Sequence, residues 1–210
     1  MAQFRQRDFA AAVHVSRETM GMFETYVKLL EQWQPKVNLI GASTFPDLWN
    51  RHMLDSAQVF PFLPEGQVLD AGSGAGFPGL VLGIMATEDE NRGPIHLVES
   101  DGRKCAFLEE VIKETGAKAI IHNERIEAMT PFPVAAVTAR ALAPLDRLLP
   151  LLENFLVQPD AHGFFFKGKG ANDELTEARK DWSMNVERIQ SVTDPTGVLL
   201  HLTEVKRGRS

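Results

Sequence analysis

A short apolar run followed by alternating glycines is the part of the sequence best suited to holding a ligand. The run Val68–Ala71 is typical of a buried strand, and Asp70 lies near its end. This aspartate opens an Asp-x-Gly-x-Gly-x-Gly pattern whose glycines are Gly72, Gly74 and Gly76. Glycine allows a tight turn and lets a ligand lie directly against the main chain. We therefore predict that a nucleotide-like cofactor binds at this turn.

The spacing of the glycines admits two classes of cofactor. Gly74, Gly76 and Gly79 satisfy the Gly-x-Gly-x-x-Gly fingerprint of dinucleotide-binding proteins. An aspartate at the strand end with alternating glycines instead favours S-adenosylmethionine, which has no pyrophosphate to place on a helix N-terminus. The turn alone leaves both open.

Two later segments are placed to complete a cofactor site. Glu99 ends the next apolar run, and its carboxylate could accept hydrogen bonds from both ribose hydroxyls; a solvated acid is the alternative. After the third predicted strand, a backbone N–H of Ile126 or Glu127 could contact an adenine ring, although Glu127 could instead cap a helix. The cofactor contacts predicted in this way are Gly72, Ser73, Gly74, Gly76, Glu99, Ile126 and Glu127.

The segment 138–144 follows the fourth predicted strand and bears on the chemistry. It lacks the Asn/Asp-Pro-Pro-aromatic motif that usually handles the exocyclic amines of bases. Methyl transfer to carbon 5 of a pyrimidine needs a cysteine nucleophile, and the single cysteine, Cys105, lies in a predicted helix where packing is its expected role. A ring nitrogen such as guanine N7 needs neither device, because it carries a lone pair and no proton. Arg140 has small neighbours here and could contact the cofactor or a phosphate. A salt bridge to Asp146 is the alternative.

Strand-like runs alternate with helical patterns after residue 64, which predicts parallel βαβ units. The predicted strands are Val68–Ala71, Ile95–Glu99, Ala119–His122, Ala135–Thr138, Phe164–Lys167, Asn185–Val192 and Val198–Val205. The predicted helices are Pro78–Ala86, Arg103–Thr115, Pro144–Leu156 and Asp173–Trp182. We expect a Rossmann-like α/β domain over residues 65–210, with a seven-stranded, mostly parallel sheet whose last two strands form an antiparallel pair.

Residues 1–64 are expected to form a helical extension. Ser16 can cap a helix that carries an apolar stripe, and a shorter helix is predicted around Pro46–Gln58. The chain has 210 residues, a net charge of −6, no apolar run long enough to span a membrane and a polar N-terminus. These features argue against a general nucleic-acid coat and for a cytoplasmic protein.

Several segments in the same order resemble the RsmG family, also called glucose-inhibited division protein B. They are Asn38-Leu-Ile, Arg51-His-Met-Leu-Asp-Ser56, Asp70-Ala-Gly-Ser-Gly-Ala-Gly-Phe-Pro-Gly79, Glu99-Ser, Arg125-Ile-Glu, Thr138-Ala-Arg-Ala141 and Lys167-Gly-Lys-Gly170. The resemblance implies a class I S-adenosylmethionine-dependent methyltransferase that modifies guanine N7 in the 530-loop of 16S ribosomal RNA. It also implies cofactor contacts at Gly72, Phe77, Ile126, Glu127 and Arg140.

Two features depart from the family pattern. Many relatives have aspartate where this chain has Glu99, although the longer acid still reaches a ribose. The stretch Thr87–Arg92 forms an acidic loop that would repel RNA if it faced it.

Four residues are candidates for contact with RNA. Arg51 and His52 lie on the extension, where Arg51 could instead pair with Asp55 at i, i+4 and His52 could be a packed imidazole. Lys167 and Lys169 follow an aromatic strand and are predicted as phosphate contacts, with solvated surface charges as the alternative.

We therefore predict a monomeric enzyme that acts on 16S ribosomal RNA, within the small ribosomal subunit, without a metal ion or a membrane. Two other functions stay open at this point. One is a non-enzymatic ribosome-assembly or RNA-binding module that has kept the cofactor fold. The other is an NAD-linked oxidoreductase, which the glycine spacing permits although no hydride-transfer constellation follows the fourth strand.

Overall fold

The alternating apolar runs form one mixed sheet. The computed structural model describes residues 4–208, and within them seven strands lie in the order β3-β2-β1-β4-β5-β7-β6. The strands are β1 Gly66–Ala71, β2 Arg92–Val98, β3 Ala119–His122, β4 Ala136–Arg140, β5 His162–Lys167, β6 Trp182–Gln190 and β7 Val198–Arg207. The pairs from β3 to β5 are parallel, and β7 is antiparallel to both β5 and β6. The predicted sheet and its antiparallel final pair are confirmed.

The helices lie close to the predicted positions, with three differences. The helices are α1 Gln6–Val13, α2 Arg17–Trp33, α3 Asp55–Ala57, α4 Gly79–Met85, α5 Gly102–Thr115, α6 Leu145–Leu156 and α7 Ala171–Ala178. The sequence did not predict α1. The helix predicted around Pro46–Gln58 is a 3-10 turn, a π-helix over Trp49–Leu54 and the single turn α3. Helix α7 ends at Ala178, because Trp182 is buried as the first residue of β6.

Neighbouring strand residues point to opposite faces of the sheet and so divide the core into two apolar clusters. Val68 belongs to the cluster under α2, α4 and α5, whereas Leu69 belongs to the cluster under α6 and α7. Phe9, Phe23 and Met53 of the extension are fully buried in the first cluster. Each such side chain contributes roughly 1.5–3 kcal/mol by leaving water. The extension therefore packs directly on one face of the sheet.

The boundary that the sequence predicts after residue 64 lies in the loop before β1 and stays a prediction. Among residues 4–208, no helix combines the length and the apolar character needed to cross a membrane.

The acidic loop 87–91 leads into the N-terminal end of β2, whereas the glycine turn follows the C-terminal end of β1. Since the two strands are parallel, the loop and the turn lie at opposite ends of the strands. Glu88 accepts hydrogen bonds from the backbone N–H of Ser16, at 2.7 Å, and from the hydroxyl of Thr19. Burial raises the pKa of Glu88, but these hydrogen bonds outweigh it and hold the pKa below its usual value. Ser16 itself caps α2 by accepting from the N–H of Thr19 at 3.1 Å. The loop thus anchors the first long helix and does not border the site.

Candidate active site

The glycine turn is fixed by a buried carboxylate. Asp70 is fully buried; it accepts hydrogen bonds from the N–H of Gly79 at 3.0 Å and from the hydroxyl of Thr138 at 2.8 Å. Burial raises the pKa of Asp70 to about 6, against the opposing effect of these hydrogen bonds. A Cβ on Gly79 would lie 2.5 Å from this carboxylate and 2.2 Å from Leu97, so only glycine fits there. Asp70 therefore joins the turn to α4 and β4.

This arrangement decides between the two cofactor classes that the glycine spacing allowed. A dinucleotide places its pyrophosphate on the N-terminus of the helix that follows the turn. Here the N–H of Gly79, the first residue of α4, already donates to the carboxylate of Asp70. A second anion at that point would meet a neighbouring negative charge, which disfavours a dinucleotide.

Glu99 links the turn to the end of β2. One carboxylate oxygen accepts from the N–H of Gly74 at 2.9 Å, and the other accepts from the N–H of Asp101 at 2.8 Å. A carboxylate offers about four lone-pair sites, so these two bonds leave room for further donors such as hydroxyls. Glu99 is only partly buried and lines a cavity of about 370 Å³.

This cavity, which we call the cofactor cavity, has walls from the ends of four strands. It is lined among others by Gly72, Gly74, Glu99, Lys104, Ile126, Glu127, Arg140 and Leu142. Its volume lies within the range of small-molecule sites. Ile126 opens a short 3-10 helix that ends at Ala128, and Glu127 lies exposed within that helix rather than at its cap, so the capping alternative is wrong. An acid beside a glycine turn, with a partly apolar far wall, fits the ribose and adenine of S-adenosylmethionine.

Arg140 stands where the cofactor cavity meets the extension. Its guanidinium donates to the carboxylate of Asp55 at 3.1 Å, to the carbonyl of Arg51 at 3.0 Å and to Nδ1 of His52 at 2.9 Å. It also lies 5.1 Å from the centre of the Phe77 ring. The alternative partner Asp146 is wrong, because the carboxylate that pairs with Arg140 is Asp55. We call this group of five residues, Arg51, His52, Asp55, Phe77 and Arg140, the junction.

The expected ion pair between Arg51 and Asp55 is also wrong. The segment that carries Arg51 is a π-helix, which changes the i, i+4 relation between the two side chains. Asp55 is occupied by Arg140, and the side chain of Arg51 is exposed.

His52 is a neutral, packed imidazole. A guanidinium can only donate, so Nδ1 of His52 accepts from Arg140 and Nε2 carries the proton, which it donates to the hydroxyl of Thr44 at 2.9 Å. Burial and then the charges of Arg140 and Arg51 lower its pKa to about 3. Its ring packs 5.0 Å from Phe77. Both ring nitrogens have partners in the protein, so this geometry disagrees with the predicted RNA contact through the imidazole.

A larger cavity, of about 710 Å³, opens on the other side of the junction, and we call it the acceptor cavity. Its walls come from the extension, the loop after β4 and the turn 191–197 between β6 and β7. It shares Arg140, Ala141 and Leu142 with the cofactor cavity. Ala141 has a φ of 56°, in the left-handed region, where the chain leaves β4 beside both cavities.

The four predicted RNA contacts divide into two kinds. Arg51 is exposed and lines the acceptor cavity, and Lys169 is exposed close by. Hydrogen bonds from Thr196 lower the pKa of Asp194 on the turn, and the charges of Arg51 and Lys169 add to this, so both cations lie near that turn. Lys167 differs, because its side chain is only 7% exposed and its ammonium lies 2.8 Å from the carboxylate of Glu174. The alternative of a solvated surface charge is therefore wrong for Lys167. Its phosphate contact stays a prediction, since Lys167 lines the acceptor cavity but is already paired with Glu174.

Sequence reasoning missed three residues of this region. Thr193 donates to Asp55 at 2.8 Å across 138 residues, and no local pattern signals such a pair. Leu142 is partly exposed and packs over Gly72, where a Cβ would come within 2.7 Å of it. Tyr26 of α2 is buried and donates to the carbonyl of Ala75 in the glycine turn at 2.5 Å. Tyr26 lies outside the predicted apolar stripe of this helix, and no local pattern around it indicates the contact.

The fold and the site together define a class of protein. The sheet order, the antiparallel final pair, the glycine turn after β1 and the acid after β2 are those of class I S-adenosylmethionine-dependent methyltransferases. Two solved structures share the fold with a TM-score of 0.60. They are a putative O-methyltransferase from Klebsiella pneumoniae, at 9% identity over 94% of this chain and 95% of that one, and magnesium protoporphyrin IX methyltransferase from Synechocystis, at 11% over 90% and 98%.

The chain belongs to the GidB family, described as rRNA small subunit methyltransferase G, whose model matches residues 20–202. Two relatives named ribosomal RNA small subunit methyltransferase G are similar over nearly the whole length. The protein from Paramagnetospirillum magneticum is 51% identical over 93% of this chain and 94% of its own. That from Rhodospirillum centenum is 52% identical over 96% and 92%. The predicted family, fold, enzyme class and cofactor are confirmed.

Proposed function

We propose that this protein transfers the methyl group of S-adenosylmethionine to N7 of a guanine in the 530-loop of 16S ribosomal RNA. Family membership supports the ribosomal RNA substrate. The observation that carries the proposal is the meeting of two cavities at Arg140, one suited to the cofactor and one open to a larger ligand.

The cofactor, when bound, supplies an electrophilic methyl group on a sulfonium. The protein has to hold that group and the acceptor in line and to exclude water. We assign the ribose to Glu99, the adenine to the backbone at Ile126 and Glu127, and the methionine end to the turn at Gly72–Phe77. Gly72, Ser73, Gly74 and Phe77 line the cavities at this turn. Gly76 lies in the same turn with a φ of 95°, and we assign it a supporting role in shaping that wall.

The acceptor nitrogen explains why the protein needs no general base. Guanine N7 carries a lone pair and no proton, so no proton has to be removed before attack. The methylated ring is a cation, and the carboxylates of Asp47 and Asp194 line the acceptor cavity. Nearby carboxylates stabilise a positive charge that develops in a partly enclosed site.

We assign Arg140 as the catalytic residue of the site, in contact with an anionic group of the cofactor or of the RNA. Its guanidinium borders both cavities and is held in place by three hydrogen bonds to the extension. An arginine held in this way is preorganised to bind a carboxylate or a phosphate.

On the RNA side, we propose that Arg51 and Lys169 contact phosphates at the mouth of the acceptor cavity. Both are exposed. The net charge of −6 makes a broad electrostatic footprint on RNA unfavourable. We therefore infer that a monomer of this protein recognises the 530-loop within the small ribosomal subunit, in the cytoplasm where that subunit is found.

Methyl transfer to small subunits tests the proposal. The protein would be incubated with labelled S-adenosylmethionine and with 30S particles, or naked 16S RNA, from a strain that lacks the modification. We expect one methyl group per particle, at guanine N7 in the 530-loop, and a higher rate on particles than on naked RNA. Methylation at another atom would refute the substrate assignment.

The same assay separates the alternative functions. A non-enzymatic binding module would bind the particles and transfer no methyl group even in a single turnover. An NAD-linked enzyme would bind NAD and show no heat of binding with S-adenosylmethionine in calorimetry.

A further inference from the structure

Among residues 4–208, the carboxylate of Asp55 is the only charged group that forms an ion pair with Arg140. The two side chains are 16% and 18% exposed, and their charged atoms lie 3.1 Å apart. His52 is neutral, so the imidazole adds a hydrogen bond and no charge. The direction in which the guanidinium of Arg140 points therefore depends mainly on where the carboxylate of Asp55 lies.

Asp55 is in turn held from the far end of the chain. Its second carboxylate oxygen accepts from the hydroxyl of Thr193 at 2.8 Å and from the side-chain amide of Gln58 at 2.8 Å. The carbonyl oxygen of that same amide accepts from the backbone N–H of Val192 at 3.0 Å. Two adjacent residues of the turn 191–197 are thus tied to two residues of the extension.

The turn itself is a well-defined unit. The hydroxyl of Ser191 accepts from the N–H groups of Thr193 and Asp194, at 3.2 and 3.3 Å, and the N–H of Ser191 donates to the carbonyl of Gly197. The turn forms one wall of the acceptor cavity through Ser191, Thr193, Asp194, Pro195 and Gly197. A ligand that reaches this wall of the cavity therefore contacts a turn that is bonded to Asp55 and Gln58.

We propose that Asp55 is a positioning residue that couples the turn 191–197, through Thr193, to the orientation of Arg140. This inference rests on the proposed function, because it names how occupancy of the acceptor cavity reaches the cofactor side. RNA that contacts the turn shifts or fixes the carboxylate of Asp55, and the guanidinium of Arg140 follows it. Coupling of this kind is reciprocal, so cofactor binding changes the affinity for RNA by the same factor.

Replacing Thr193 tests the coupling with little change in shape. Thr193→Val removes the hydroxyl that donates to Asp55, and Thr193→Ser keeps it. We expect Thr193→Val to lower kcat on 30S particles by about tenfold, the value of a hydrogen bond to a charged group, with KM changed by less than about threefold. Thr193→Ser should restore kcat to within about threefold of the wild type. Equal kcat values for the two variants would overturn the proposal.

A double variant separates positioning from simple loss of stability. Asp55→Asn should lower kcat more than Thr193→Val does, and the combination should be no worse than Asp55→Asn alone, because both changes break one chain of contacts. If the loss of kcat in the double variant equalled the product of the two single losses, Thr193 and Asp55 would act independently, which would contradict the proposed coupling. Asp55→Asn should unfold at a lower denaturant concentration than the Thr193 variants, because the guanidinium of Arg140 loses its counter-charge. All kcat values are therefore measured at a temperature at which unfolding curves show each variant to be fully folded. A kcat loss that disappears once the fraction of folded protein is taken into account would overturn the positioning role.

One readout does not depend on methyl transfer. The Nε–H resonance of Arg140 in ¹⁵N-labelled protein should shift in Thr193→Val and not in Thr193→Ser, in the absence of RNA. An unchanged resonance in Thr193→Val would refute the coupling. If Thr193→Val showed this shift and the wild-type protein methylated no RNA, the proposed function would fail while the coupling stood.

Discussion

The cofactor cavity and the junction differ in what holds them together. On the cofactor side, Asp70 and Glu99 accept from the backbone N–H groups of Gly79 and Gly74, nine and 25 residues away, and the distant partner of Asp70, the hydroxyl of Thr138, lies on the neighbouring strand β4. At the junction, side chains bind side chains across long separations, 85 residues between Asp55 and Arg140. The cofactor cavity thus forms with the sheet itself. The junction forms only when the extension has closed on the sheet.

Loss of Arg140 should have the largest effect, because this residue is the centre of the junction and also lines the cofactor cavity. Arg140→Ala leaves the carboxylate of Asp55 buried without its counter-charge, which should lower the free energy of unfolding by about 3 kcal/mol. We expect methyl transfer to fall by about 100-fold, as for removal of a preorganised charged donor. Arg140→Lys keeps the charge but not the three hydrogen bonds, and should lie between. Denaturant unfolding and rates on 30S particles measure both effects.

If Arg140→Ala folds and keeps full cofactor affinity and turnover, Arg140 does not belong to the site. The difference between the two regions would then concern stability and not catalysis.

The cofactor side should show its own effect in the pH dependence of stability. The pKa of Asp70 is raised by burial to about 6, so the folded protein binds a proton there more tightly than the unfolded chain does. This group therefore costs stability as the pH rises from about 4 to about 6, up to about 3 kcal/mol. Asp70→Asn can still accept from Gly79 and should remove that component. Urea unfolding of both proteins at pH 5 and pH 7.5 gives the comparison.

A wild-type protein whose stability changes with pH in the same way as that of Asp70→Asn would show that Asp70 does not titrate in this range. The pH dependence of stability would then not distinguish the cofactor side from the junction.

Two nearby lysines should separate structure from RNA contact. Lys167→Ala breaks a largely buried ion pair with Glu174 and should lower the free energy of unfolding by about 2 kcal/mol. Lys169→Ala removes an exposed charge and should leave stability unchanged, within about 0.5 kcal/mol. It should weaken RNA binding and reduce the salt dependence of binding by about one counter-ion. A stable Lys167→Ala with weaker RNA binding would reverse these assignments.

The smallest effect should come from a change at Glu99, the residue whose carboxylate we assign to the ribose of the cofactor. Glu99→Gln keeps the shape and one acceptor oxygen, but its amide –NH2 must face the N–H of Gly74 or of Asp101. It should weaken S-adenosylmethionine binding by about tenfold, since hydrogen bonds to charged groups are worth about 1.5–3 kcal/mol, and an unfolding curve shows that the variant is folded. Glu109→Gln makes the same change of charge on the exposed face of α5 and serves as the control. Calorimetry measures both affinities. Equal affinities for the two variants would remove Glu99 from the cofactor site.

The same difference explains what could be predicted from the sequence. The strands, the glycine turn and the position of Glu99 follow from contiguous patterns, because alternation and turn chemistry are local properties of a chain. The sequence singled out Arg140 and Asp55 separately and gave each the wrong partner. Their pairing depends on how the extension lies on the sheet, and a local pattern carries no information about a contact 85 residues away.

Lys167 and α7 show the same limit on a smaller scale. A lysine after an aromatic strand has the pattern of a surface cation, and only the packing of α7 brings Glu174 to it. The predicted helix extended to Trp182, four residues past the observed end of α7 at Ala178, because Trp182 is buried as the first residue of β6. In both places, tertiary packing overrides the local preference.

The contact between Glu88 and the start of α2 has a consequence for the order of events during synthesis. Ser16 leaves the ribosome 72 residues before the carboxylate that accepts from its N–H, which is roughly 4–14 s earlier at usual translation rates. Helix α2 can form early, but its first turn and its apolar face have nothing to dock on until β1, α4 and the acidic loop have been made. This early segment of the chain therefore settles only after the glycine turn and the acidic loop have been made, and the junction at Arg140 forms later still.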